Sequence, residues 1–257
     1  MIDEELIARA DANYYESMRI IAPALGDGEV RERGGLLLAA TGLPVAFLNI
    51  AFVTRPLRDP EALIRQAIAF FAERKLPYIL RARENLDSTA ERAAAACGLH
   101  YSDTVPGMVL HPMSSTARRS APLEIRRVED MEALETYAEV LAGGFDMPPE
   151  LGRRFVAEQL LGIPDSHLYL GHAEGRPVAT SALVMSHRVA GVYNVATLPA
   201  YRRRGFGEAM TWYAVEEGAE AGCLMASLQS SEMGYPVYER MGFRRITGYR
   251  TYIATQE

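Results

Sequence analysis

The feature that most constrains this chain is the run VYNVATLPAYRRRGFG at residues 192–207. It predicts a strand, a turn at Pro199, a basic glycine-rich loop and then a helix. The first amides of a helix have no internal partners, and the macrodipole adds partial positive charge there. Glycines let a phosphate approach that backbone closely, and the neighbouring arginines add further charge. The run therefore predicts a phosphate-binding turn.

Two common phosphate motifs do not fit this run. Gly205 and Gly207 resemble the start of a dinucleotide-binding fingerprint, but Met210 occupies its third glycine position. The strand also does not open a βαβ unit near the start of a domain. A P-loop needs Gly-Lys-Ser or Gly-Lys-Thr after the turn, and neither sequence follows here.

The spacing of Arg202, Gly205 and Gly207 after a strand and a proline resembles the cofactor motif of the GNAT superfamily of acyl-CoA-dependent N-acyltransferases. A second stretch, LMASLQSSEMGYPVYERMGF at residues 224–243, is similar to the next strand and helix of that family. It ends in a tyrosine, three further residues and a Gly-Phe pair. The resemblance covers residues 123–253.

This resemblance implies an acetyltransferase that uses acetyl-CoA as co-substrate. A primary amine of a small molecule would attack the thioester directly in a ternary complex. A backbone amide near Val195 would stabilise the oxyanion, and neighbouring backbone groups would hold the pantetheine arm. Ser231 stands where the family often has asparagine. The implied cofactor contacts are Val195, Ala196, Thr197, Arg202, Arg203, Arg204, Gly205, Phe206, Gly207, Glu208 and Ser231.

The resemblance also implies that Tyr238 protonates the departing thiolate as a general acid. The alternative for Tyr238 is a half-buried aromatic residue on an amphipathic helix. Asp146 and Glu232 are candidates for the base that receives the amine proton, and transfer to water is the alternative. His167 and His172 face opposite sides of one predicted strand, so we expect no metal site.

Two other functions remain open at this point. The chain could be a non-catalytic acyl-CoA-binding module that senses cofactor level. It could also be a protein N-acetyltransferase, whose peptide acceptor would need an open groove.

The first half of the chain repeats the element order of the second half. Thr54 lies 143 residues before Thr197, and Gly98 lies 144 residues before Gly242, which favours an internal duplication. The predicted fold class is α+β, a tandem GNAT-like fold with two mixed twisted sheets each flanked by helices. The proline-flanked polar stretch at residues 112–122 predicts a linker. We expect a degenerate N-terminal domain at residues 1–115 and a catalytic domain at residues 122–257.

The N-terminal copy departs from the cofactor motif. Its turn at residues 54–60, TRPLRDP, has no glycine, and Pro60 has no N–H group to offer a phosphate. The first half is therefore predicted to have lost acyl-CoA binding.

Composition limits the partners. The formal net charge of -6 argues against a dedicated nucleic-acid binder, which needs a basic surface. No stretch reads as a signal peptide or a membrane span, and the two cysteines read as buried thiols in a reducing compartment. These features predict a soluble, cytoplasmic protein that is a monomer or a homodimer.

Overall fold

The computed structural model describes residues 3–113 and 121–254. Most of the predicted linker, residues 114–120, lies outside the described residues. None of the helices in the described ranges is long and apolar enough to cross a membrane.

The chain divides into two compact units that exchange terminal segments. The motif unit consists of Met1–Tyr14 and Met108–Arg244, and the companion unit consists of Tyr15–Gly107 and Arg245–Glu257. The predicted domains, residues 1–115 and 122–257, did not include this exchange. Each unit therefore takes a terminal segment from the opposite half of the sequence.

Eleven strands are present in the described residues. They are β1 (Glu29–Arg33), β2 (Leu36–Ala40), β3 (Ile50–Val53), β4 (Ile79–Arg83), β5 (Leu99–Leu110), β6 (Glu124–Arg127), β7 (Ser166–Ala173), β8 (Arg176–Ser186), β9 (Val189–Thr197), β10 (Met225–Gln229) and β11 (Arg244–Ala254).

Seven α-helices accompany them in the same ranges, with short 3-10 turns at Ala46–Leu48, Glu158–Gly162 and Pro199–Tyr201. The helices are α1 (Asp3–Ala24), α2 (Pro60–Glu73), α3 (Ser88–Ala96), α4 (Met131–Gly144), α5 (Pro149–Arg153), α6 (Phe206–Glu220) and α7 (Tyr235–Arg240).

In the companion unit the strand order is β1-β2-β3-β4-β11-β5. The pairs β1–β2, β2–β3 and β4–β11 are antiparallel, and β3–β4 is parallel. Helices α2 and α3 pack on this sheet, and Ile64, Phe71 and Leu80 lie at the centre of the shared core. Apolar side chains removed from water supply the main stabilisation of such a layer.

In the motif unit the strand order is β5-β10-β9-β8-β7-β6. Successive residues of a strand point to opposite faces, so β9 contributes to two cores. Ala190 and Val192 pack with residues of α6, whereas Tyr193, on the opposite face, packs with Tyr137 and its neighbours on α4. The strand that carries the predicted cofactor contacts is therefore held from both sides.

Three segments differ from the elements that their sequence patterns predict, which are one helix over residues 149–161, a strand over residues 45–53 and two short strands around Gly248 in residues 244–253. Residues 149–161 form α5 and a separate 3-10 turn rather than one helix. Residues 45–53 begin with a 3-10 turn, because the Asn49 amide bonds the carbonyls of three loop residues. Residues 244–253 belong to one strand, which Gly248 does not end. Instead, Gly248 gives the Glu84 carboxylate room to pack, since an added Cβ on Gly248 would lie 2.5 Å from that group.

Candidate active site

A cavity of about 640 Å³ opens in the motif unit at the end of β9. Its walls come from β9, the turn that follows it, the start of α6, the end of α4 and the region around α7. The lining residues are Gly144, Phe145, Asp146, Val195, Ala196, Thr197, Tyr201, Arg202, Arg203, Gly205, Phe206, Gly207, Glu208, Ser231, Met233, Gly234, Val237, Tyr238 and Arg240. The cavity thus brings together the predicted acid Tyr238 and every predicted cofactor contact except Arg204.

Strands β9 and β10 diverge at this cavity. They pair in parallel only at the first three residues of β9, and the last of these pairs joins Gly191 to Ser227. Val195, Ala196 and Thr197 lie beyond that point and line the cavity. The backbone of this part of β9 is therefore open to a ligand on the β10 side.

A β-bulge interrupts the other edge of β9. Tyr193 pairs with Ala182, but Ala196 pairs with Thr180, so two residues of β9 oppose one residue of β8. The extra residue of a bulge is left outside the ladder. Asn194 has a positive φ of 52°, and the Thr180 hydroxyl donates to its carbonyl at 2.8 Å. The bulge therefore fixes unpaired backbone beside Val195, where the resemblance implied an oxyanion contact.

Helix α6 begins without a side-chain cap. Its N-cap residue is Gly205, which has a φ of 80° and makes no side-chain hydrogen bond. By contrast, α2, α3 and α4 all begin at an aspartate whose carboxylate accepts from helix amides. The first amides of α6 therefore remain available, and Gly207 leaves open space beside them, since an added Cβ would lie 3.8 Å from Val195. This arrangement fits a phosphate group.

The three arginines of the turn have different surroundings. Arg204 does not line the cavity; its guanidinium lies 3.7 Å from Glu174 and 5.0 Å from the centre of the Phe206 ring. Arg203 lines the cavity with a φ of 61° and has no ion-pair partner among the described residues. Arg202 also lines it, but its guanidinium donates to the carbonyls of Gly144 and Thr197.

Tyr238 lines the cavity from α7 and is half-buried. Its ring packs edge-to-face against Phe243, and the two ring centres are 5.9 Å apart. Gly234 lies close to the same ring, since an added Cβ there would be 2.8 Å from it. Burial raises the pKa of Tyr238 to about 12, and a hydrogen bond with the Thr211 side chain acts in the opposite direction. The hydroxyl is therefore protonated at neutral pH and can donate a proton.

The predicted bases have less favourable positions. The Asp146 carboxylate lies 3.4 Å from Arg202 and is 71% exposed, and Glu232 does not line the cavity. The Ser231 hydroxyl accepts from the Gly234 amide at 3.1 Å, so it caps the start of α7. Nowhere in residues 3–113 and 121–254 do three His, Cys, Asp or Glu side chains form a group that could hold a metal ion.

Several lining residues were not predicted from the sequence. Phe145 and Met233 are large apolar side chains with exposed fractions of 49% and 69%, and both line the cavity. No sequence signal separates them from ordinary core residues.

A buried support for β9 was also missed. Asn13 of α1 is fully buried; its amide donates to the Val184 carbonyl, and its carbonyl oxygen accepts from the Tyr193 hydroxyl at 2.7 Å. A Cβ on Gly191 would lie 1.9 Å from that oxygen, so only glycine fits there. An asparagine in an amphipathic helix gives no sign of such a distant contact.

The comparisons with known proteins find a family match within the second half of the chain. Residues 131–243 match the model of the acetyltransferase (GNAT) family. A glucosamine 6-phosphate N-acetyltransferase from Trypanosoma brucei brucei is 29% identical over 133 residues, which cover 48% of this chain and 89% of that relative.

Solved structures resemble the chain over almost its whole length. A GCN5-related N-acetyltransferase from Kribbella flavida has a TM-score of 0.70 at 19% identity, and the match covers 95% of this chain and 96% of that one. A tandem GNAT protein from the clavulanic acid biosynthesis pathway has a TM-score of 0.56 at 15% identity, with coverage of 95% and 94%. These likenesses confirm the predicted fold class.

Proposed function

We propose that this chain, which carries a domain of the acetyltransferase (GNAT) family over residues 131–243, transfers an acetyl group from acetyl-CoA to the primary amine of a small molecule. One observation carries the proposal. An uncapped helix start, a bulged strand that diverges from its neighbour and a protonated tyrosine all border one cavity.

The start of α6 would hold the phosphates of acetyl-CoA. Backbone amides from Arg203 to Glu208 would cradle the phosphates beside Gly207, and the Arg203 guanidinium, which lines the cavity, would add charge. The open edge of β9 at Val195, Ala196 and Thr197 would hold the pantetheine arm through backbone hydrogen bonds. Acetyl-CoA supplies the reactive thioester.

Two groups of the protein would assist the transfer. Unpaired backbone at the bulge beside Val195 would donate to the thioester oxygen as negative charge develops there. As the amine nitrogen bonds the carbonyl carbon and the carbon–sulfur bond breaks, Tyr238 would give its proton to the sulfur. The high pKa of Tyr238 keeps that proton available.

The amine proton would pass to water. Asp146 is engaged by Arg202, and Glu232 lies away from the cavity, so neither carboxylate is placed to accept it directly. Deprotonation by solvent predicts that the rate rises with pH up to the pKa of the acceptor amine.

An amino sugar phosphate is the first acceptor to test. The relative from Trypanosoma brucei brucei is named for glucosamine 6-phosphate, and its match covers 48% of this chain. Arg240 lines the cavity without an ion-pair partner among the described residues and could pair with an acceptor phosphate.

The test combines calorimetric titration of acetyl-CoA with a free-thiol assay on a panel of amines. The panel holds glucosamine 6-phosphate, glucosamine, simple alkyl amines and a peptide with a free N-terminus. Thiol release with a small amine is the expected result. Absence of acetyl-CoA binding would sink the proposal, and binding without thiol release would point to a non-catalytic acyl-CoA-binding module. Release with the peptide alone would point to a protein N-acetyltransferase.

A further inference from the structure

The Arg202 side chain makes three polar contacts, and none of its partners is a neighbour on its own turn. One terminal nitrogen donates to the Gly144 carbonyl at 2.8 Å and lies 3.4 Å from an Asp146 carboxylate oxygen. Its Nε donates to the Thr197 carbonyl at 3.2 Å. These contacts join the end of α4 to the end of β9.

The α4 loop, residues 144–146, is pressed against β9 where Arg202 holds it. An added Cβ on Gly144 would lie 2.7 Å from the Ala196 Cβ and 3.2 Å from the Thr197 nitrogen. Only glycine permits this approach. All three residues of the α4 loop line the cavity, so the loop forms a wall that is separate from the phosphate-binding turn.

The α4 loop also needs external support to keep its shape. Asp146 has a φ of 54°, a left-handed conformation that costs energy for a residue other than glycine. Phe145 extends an exposed aromatic side chain along the cavity. Arg202 contacts the residues on both sides of Phe145, so its fork sets the position of that ring.

We propose that Arg202 is a positioning residue that couples the phosphate-binding turn to the α4 loop, rather than a ligand of phosphate. A cofactor that fixes the turn would thereby order the α4 loop and complete the wall against which the acceptor binds. This inference rests on the proposed function.

Amide hydrogen exchange of the ligand-free protein tests whether Arg202 holds the α4 loop, and it does not depend on turnover. Arg202→Ala should accelerate exchange at the Phe145 and Met147 amides, which bond the Leu141 and Ala142 carbonyls at 3.0 and 2.8 Å. We expect about tenfold faster exchange or more, since hydrogen bonds to charged groups are lost. Arg204→Ala, on the same turn but outside the cavity, is the matched control and should leave this exchange unchanged.

A lysine at position 202 separates the two roles of the side chain. Lysine keeps the charge but lacks the planar fork that reaches two carbonyls and a carboxylate. If Arg202 positions the loop, Arg202→Lys should behave like Arg202→Ala in the exchange experiment. If both variants leave exchange unchanged, Arg202 does not hold the loop and the inference is overturned. If lysine restores tight acetyl-CoA binding that alanine lost, Arg202 acts as a phosphate ligand and the inference is overturned as well.

The coupling is tested by adding acetyl-CoA. It should slow exchange across the α4 loop in the wild-type protein and in Arg204→Ala, but not in Arg202→Ala or Arg202→Lys. Equal slowing in all four proteins would refute coupling through Arg202. If the wild-type protein does not bind acetyl-CoA, the proposed function fails, while the ligand-free exchange data still decide whether Arg202 holds the loop.

Discussion

Two turns lead from an inner strand into a helix, one from β9 to α6 and one from β3 to α2. They come at corresponding places in the element order of the two units, but their helix starts are capped differently. Helix α6 begins at Gly205 with no side-chain cap. Helix α2 begins after Asp59, whose carboxylate accepts from the Ala62 amide at 3.3 Å, and Pro60 removes another amide. An aspartate cap fills the place that an anion would take, so one helix start is complete and the other is open.

The strands before these turns differ in the same sense. β3 pairs with β2 and with β4 along all four of its residues, without a register shift. β9 pairs with β10 at only three of its nine residues and carries a bulge against β8. A fully paired strand has no free backbone for a pantetheine arm. The comparison supports the prediction that the first half has lost acyl-CoA binding, and it predicts one acetyl-CoA per chain.

The largest expected effect comes from closing the open turn. Gly205→Asp with Gly207→Asp places two carboxylates where the phosphates would bind. At separations near 4 Å such repulsion amounts to several kcal/mol, so acetyl-CoA affinity should fall by about a thousandfold or more. Calorimetry measures the loss. Binding at wild-type affinity by the double variant would show that the companion unit holds the cofactor. The contrast between an open turn and a closed turn would then be wrong.

Removal of the Tyr238 hydroxyl should have the next largest effect. Tyr238→Phe keeps the ring against Phe243 but removes the proton donor, so kcat should fall by about 10²- to 10⁴-fold while the Kd for acetyl-CoA is unchanged.

The pH dependence of the proposed acetyl transfer by the wild-type protein checks the same assignment. An acid is active while protonated, and burial raises the pKa of Tyr238 to about 12. The wild-type kcat should therefore show no decline from tyrosine ionisation between pH 7 and 9. A decline in that range that disappears in Tyr238→Phe would contradict the assigned pKa.

A smaller change tests whether the open space beside α6 is functional. Gly207 has no positive φ, and its nearest neighbours would lie 3.8 and 3.9 Å from an added Cβ, so Gly207→Ala should fold normally. The methyl group would enter the cavity and should weaken acetyl-CoA binding by about tenfold. Gly162→Ala, at an exposed site with nothing within 4 Å, is the control. Unchanged affinity in Gly207→Ala would place the phosphates elsewhere.

The difference between the two units also explains what sequence could predict. Sequence alone could predict Arg202, Gly205 and Gly207, because a phosphate-binding turn needs particular residues at fixed local spacing. The bulge at Asn194 and Val195 depends on pairing with β8, and Asn13 meets β9 across 180 residues of sequence, so neither has a local signature. The exchange of terminal segments between units escaped prediction for the same reason. Arg202 was identified by position, but the partners of its side chain follow only from tertiary structure.

The smallest expected effect tests the closed turn. Asp59→Ala removes the cap of α2, which should lower the free energy of unfolding by about 1 kcal/mol, the usual contribution of an aspartate cap. Chemical denaturation measures this loss. Because the cap lies in the companion unit and α2 would still begin with Pro60, acetyl-CoA affinity and stoichiometry should not change. A second acetyl-CoA bound by Asp59→Ala would mean that the cap alone had closed that turn, and that the fully paired β3 is no obstacle to the cofactor.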